Sequence, residues 1–179
     1  MIETHDASVL FVDDEKDILD ILQRTFESSF RHVYVADNAV SALKIVKENV
    51  LDVAVLDMKM PDKTGLELCQ EMKAIAPDLR FIFLTGFADR ENIQAALRLG
   101  VDNFLDKPFD ANYLKLSVMN AVEKAQYTRL VNDIMELFIQ KNTSLDFSKF
   151  VALPMPEKKK IVRAALGVAK LQIANSKQK

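Results

Sequence analysis

The sequence predicts an α/β protein: a five-stranded parallel, doubly wound sheet followed by an all-α extension. Three observations carry this. Over about the first 125 residues, short apolar, β-rich runs alternate with helical patterns, and successive strand–helix units build a parallel sheet with helices on both faces. The middle runs are apolar throughout, as strands covered on both sides require. Beyond residue 125 the strand pattern ends and only helical spacing continues. The predicted division is therefore 1–125 for the sheet domain and 126–179 for the extension.

Taken in order, Ser8–Val12 reads as the first strand, and Glu15 to about Ser28 as a helix with Ile18, Leu19, Ile21, Leu22 and Phe26 at helical spacing. Arg31–Val35 is the second strand and Ala39–Glu48 the second helix. Val53–Leu56 is the third strand. Thr64 opens a helix with Glu67 three positions on, a capping-box pattern, and that helix stops before Pro77. Arg80–Leu84 is the fourth strand; Asp89 caps a helix to Leu99, with Gly100 as its stop. Asn103–Leu105 is a short fifth strand, and a last helix opens near Asp110.

Composition narrows the function classes. At 179 residues and 49% apolar content the chain can bury a full core. No apolar run approaches the ~20 residues of a membrane span, and the acidic start Met1–Asp6 does not read as a secretory signal. A single cysteine, Cys69, allows no intrachain disulfide and fits a reducing cytoplasm. Two histidines and one cysteine argue against zinc. The net charge of −2 hides an asymmetry: residues 1–141 hold 16 Lys+Arg against 24 Asp+Glu, and residues 142–179 hold 8 against 2.

Polar residues at the C-terminal strand ends of such a sheet gather where strand order reverses. Here they are Asp13 and Asp14 after the first strand, Asp57 after the third, Thr85 ending the fourth, and Lys107 before Pro108 after the fifth. Singly, each has a plain reading; Asp14 beside Glu15 also suits a helix's first turn. Together, three carboxylates need a counter-charge, which a hard divalent cation such as Mg2+ supplies. A carboxylate fixed beside Mg2+, a hydroxyl and a lysine is arranged for phosphoryl transfer. Asp57 is then the nucleophile, Asp13 and Asp14 hold the metal, and Thr85 and Lys107 meet phosphoryl oxygens. Gly86 leaves room for the group.

The runs "FVDDE", "VLDMKMPDKTG", "FLTG" and "FLDKPF" resemble the signature of the receiver domain of two-component response regulators, over about residues 6–125. The resemblance implies a flavodoxin-like sheet in the order 2-1-3-4-5, and a histidine kinase or phosphotransfer protein that donates phosphoryl to Asp57 with Mg2+ bound. It implies a metal ligand in the Lys59 carbonyl, a switch formed by Thr85 and Phe104, and a cis Lys107–Pro108 bond. Lys59 and Phe87 lie two residues beyond Asp57 and Thr85, where family side chains tune hydrolysis. Phe104 lacks the hydroxyl of the tyrosine often found there.

The last helix of the sheet domain continues without Gly or Pro to about Lys141, and Tyr127, Leu130, Ile134 and Leu137 form an apolar stripe widened by Val131, Met135 and Phe138. A linker with anchors Phe147, Phe150 and Leu153 leads to a final helix from about Pro156. That helix has Val162, Leu166, Ala169 and Ile173 on one face, with Ile161, Ala165 and Val168 beside them, and Lys158, Lys159, Arg163 and Lys170 on the other. The stripe needs a cover, either the same helix of a second chain or the chain's own final helix. A helical hairpin that homodimerises or docks a protein is the preferred output. Nucleic-acid binding through the basic face ranks below it, because the tail is short and has no tri-helical pattern. A relay without an output of its own is the third reading. No separate catalytic domain is expected, only phosphorylation and dephosphorylation at Asp57.

Overall fold

The computed structural model describes residues 4–86 and 90–176. Among these, strands β1 (His5–Val12), β2 (Phe30–Ala36), β3 (Val53–Asp57), β4 (Arg80–Thr85) and β5 (Asn103–Asp106) alternate with helices α1 (Lys16–Phe26), α2 (Ala39–Glu48), α3 (Gly65–Ile75), α4 (Arg90–Arg98) and α5 (Ala111–Asn142). The strands pair in parallel in the order β2-β1-β3-β4-β5, as expected from the sequence.

Alternation along each strand divides the core in two. Leu10, Val12, Ala54, Leu56, Phe81 and Phe83 face α2 and α3, where Ala42, Val46, Leu68 and Met72 are buried. Val9, Phe11, Val53, Val55, Ile82 and Leu84 face α1 and α5, against Leu22, Phe26, Leu114 and Val118. Registers Val12↔Leu56 and Asp57↔Leu84 bring the C-terminal ends of β1, β3 and β4 level.

The helix ends follow local chemistry. Asn38 accepts the Ser41 amide at the start of α2, and Thr64 and Glu67 form the predicted capping box on α3. Gly100 takes φ +70 after α4, as a C-terminal stop favours. The predicted cap Asp89 lies outside the described residues.

Two compact units divide at Tyr127, within α5. In the second unit the sequence predicts a plain linker, but Phe147–Ala152 forms a short helix, α6, capped by Asp146. The Asp146 carboxylate offers the Ser148 amide an acceptor at 2.9 Å, and Phe147 and Phe150 stack one turn apart. The final helix, α7, runs Met155–Ser176. Its buried centre is Ala165, with Ile161, Val162 and Ala169 half-buried; Leu166, predicted to lie on the packed face, is 45% exposed. No helix among the described residues is long and apolar enough to cross a membrane.

Candidate phosphoacceptor site

The three predicted carboxylates meet. Asp13 follows β1, Asp57 ends β3, and ligand oxygens of Asp13, Asp14 and Asp57 all lie within 4.8 Å of one another. Asp13 and Asp57 are buried and Asp14 is exposed, so the cluster opens to solvent on one side. Lys107 enters from the β5 end. Its Nζ donates to Asp13 Oδ2 at 2.7 Å and to Asp57 Oδ2 at 2.9 Å, and lies 3.9 Å from Glu15 Oε1. The Lys107–Pro108 peptide is cis, as the resemblance implies.

Backbone bonds fix these groups. The Lys107 amide donates to the Thr85 carbonyl at 2.7 Å, the Asp13 amide to Ala36 O, and the Met58 amide to Leu84 O. Asp13 Oδ1 accepts the Glu15 amide, and Asp57 Oδ1 the Lys59 amide at 3.3 Å. Lys59 itself is exposed. Thr85 is buried, and its hydroxyl donates to the Gly86 carbonyl at 3.0 Å. A Cβ built on Gly86 would meet nothing within 4 Å, so space is open there. Phe104 is half-buried and stacks on Phe83, with ring centroids 5.9 Å apart. Phe87 lies outside the described residues.

The electrostatics are those of a crowded anionic pocket. Burial pushes the Asp57 carboxyl above its ordinary value and Asp13's charge adds to this; Lys107 opposes but does not cancel it. Burial by itself would lower Lys107, yet its hydrogen bonds to Asp13 and Asp57 and their charges outweigh that and raise it. One ammonium therefore serves two buried carboxylates, with a third beside them. The donor set, hard oxygens clustered and under-neutralised, fits Mg2+ better than any softer ion.

Two contributors escaped the sequence reading. Gly65 sits against Asp57: a Cβ there would lie 2.2 Å from the Asp57 carbonyl oxygen. Asp62, in the loop after Asp57, accepts the Ala39 amide at 2.9 Å and ties that loop to α2. Only the position of Gly65 at the end of "PDKTG" offered a signal; Asp62's partner lies 23 residues away.

The class of protein is an α/β domain with a five-stranded parallel sheet and an acidic cluster with a lysine at its C-terminal strand ends, and comparison with known proteins gives its family. The model for the response regulator receiver domain matches residues 9–119, and the chain belongs to that family. It is 34% identical over 129 residues to the response regulator SaeR of Staphylococcus epidermidis, covering 72% of this chain and 56% of that protein. It is 32% identical over 145 residues to SaeR of Staphylococcus aureus, covering 81% and 63%. The chain thus spans about three-fifths of the length of these curated relatives. Among solved structures, a response regulator receiver domain protein from Clostridium thermocellum superposes with TM-score 0.64 at 33% identity, over 68% of this chain and 98% of that one.

Proposed function

We propose that the chain is a two-component response regulator that accepts a phosphoryl group on Asp57 from a histidine kinase or phosphotransfer protein, in the cytoplasm. The phosphoacceptor domain spans 1–125 and the helical output 126–179. The observation that carries this reading is Lys107 Nζ bonded to both Asp13 and Asp57 inside a three-carboxylate cluster. Asp13, Asp14, Asp57 and the Lys59 carbonyl would hold Mg2+, which offsets charge on the phosphoryl oxygens when bound.

In the transfer, an Asp57 carboxylate oxygen forms a bond to phosphorus as the donor's P–N bond breaks. The imidazole leaves with that electron pair and takes a proton. Lys107 pairs with one phosphoryl oxygen as a point charge. Thr85 turns its hydroxyl from the Gly86 carbonyl toward another, and Phe104 follows as the aromatic half of the switch. Lys59 and Phe87 set access of hydrolytic water; Phe87→Ala should hasten decay of the acyl phosphate.

The extension then carries the output as a dimerisation or docking element, supported by the exposed Leu130, Ile134 and Leu137. The exposed Lys159, Arg163 and Lys170 on α7 support a second reading, nucleic-acid binding, whose mark is a steep salt dependence.

The test is labelling of the full chain by a small-molecule phosphodonor with MgCl2. One phosphoryl group per chain, absent in Asp57→Asn and removed by hydroxylamine, supports the reading. A chain that stays unlabelled sinks it.

A further inference from the structure

α5 is 32 residues long and carries two seams on roughly opposite sides. One is covered: Leu114, Val118, Ala121, Ala125 and Ile139 are buried. The other is not. Tyr127, Leu130, Ile134 and Leu137 recur at three- and four-residue steps along one side of the helix. They are 68%, 57%, 56% and 68% exposed. The chain's own final helix therefore does not cover them, and the seam is open to a partner.

The charges at the two ends of this seam are complementary to those of a second copy. Four residues before Tyr127 stands Glu123, and four after Leu137 stands Lys141; both are exposed and both fall on the same side of α5. A two-fold operation about position 132 lays the seam on itself. Tyr127 then meets Leu137 of the other copy, Leu130 meets Ile134, and Glu123 meets Lys141, each contact occurring twice as an isologous interface demands. The segment from 123 to 141 spans about 28 Å of helix. Parallel pairing would instead set Glu123 against Glu123 and Lys141 against Lys141.

We propose that the open seam of α5 is the docking surface for a second copy of this chain, paired antiparallel over residues 123–141 with Glu123 and Lys141 as reciprocal end clasps. This rests on the reading that the extension carries the output, and names its partner and orientation.

The experiment is sedimentation velocity on the full chain at tens of micromolar and low salt, with circular dichroism on every variant. Wild type should sediment as a dimer. Ile134→Asp should give a monomer with unchanged helix content. Glu123→Lys and Lys141→Glu, each altering two symmetric contacts, should weaken the dimer about tenfold apiece. The double variant E123K/K141E should restore it. A monomeric wild type, a dimer that survives Ile134→Asp, or single charge reversals without effect would each overturn the proposal. Phosphodonor labelling of the same samples keeps the two readings apart. A labelled monomer ends the pairing proposal alone, and an unlabelled dimer that obeys the charge-swap pattern ends only the phosphoacceptor reading.

Discussion

Replacing Gly65 by Ala puts a methyl group where the backbone of Asp57 already lies. The added Cβ would sit 2.2 Å from Asp57 O, 3.1 Å from Asp57 C and 3.0 Å from Phe83 Cε1, whereas ordinary contact begins near 3.4 Å. An overlap of about 1.2 Å with the carbonyl must be relieved. Asp57 cannot retreat, because β3 is hydrogen-bonded to β1 on one side and β4 on the other. The start of α3 must therefore withdraw, which stretches the 3.0 Å bond from the Gly65 amide to Met58 O past usefulness. Overpacking costs about 1–3 kcal/mol and a lost backbone bond about 1 kcal/mol. The stability loss should be about 2–4 kcal/mol. A shift of even part of an ångström at Asp57 relative to Lys107 should slow phosphodonor labelling by up to about 100-fold. Urea unfolding followed by circular dichroism measures the first, and the rate of acyl-phosphate formation the second. A variant with wild-type midpoint and wild-type rate would show that the close approach carries neither stability nor position.

Three further outcomes follow from the same structure. A Cβ on Gly167, in α7, would meet nothing within 4 Å, so Gly167→Ala should stabilise the chain by about 0.5–1 kcal/mol in thermal or urea unfolding. Asp57→Asn should raise the urea midpoint at pH 7 in EDTA. The folded carboxyl titrates above its unfolded value, so its contribution to stability is present below about pH 4 and lost as pH rises; the variant's advantage should shrink toward pH 3. Burial pushes the Cys69 thiol up to about 12, so the folded chain should resist thiol reagents at pH 8 and react only where urea unfolds it. Above about pH 9 the thiol ionises only when unfolded, and stability should fall.

The middle of the sheet was legible because its strands are covered on both faces: runs such as Val53–Leu56 have no polar interruption, and polar residues mark their C-terminal ends. The site was legible for the same reason, since buried strand tips admit Asp13, Asp57 and Thr85 only where something satisfies them. Close approach was illegible. Nothing in "PDKTG" says that the glycine's missing Cβ faces the carbonyl of Asp57 rather than a turn. In the extension, apolar periodicity located α5 and α7 and the packed side of α7, but not the exposure of Leu166 and Val168. Ala165 is buried and the larger Leu166 is 45% exposed, which side-chain hydrophobicity alone does not rank. The helical turn at Phe147–Ala152 was missed because six residues carry too short a period to register.

Gly65, Phe83 and Phe104 also form a physical line from Asp57 toward the surface. The methyl that would collide with Asp57 would also press on the Phe83 ring, and that ring stacks on Phe104 across the β4–β5 pair. Interior packing this tight transmits displacement rather than absorbing it. Gly65→Ala should accordingly disturb the aromatic resonances of Phe83 and Phe104 in an NMR spectrum before any phosphoryl group is added. Should those resonances stay fixed while the labelling rate falls, the methyl has acted on Asp57 alone, and the aromatic pair is not mechanically joined to Asp57 through this face.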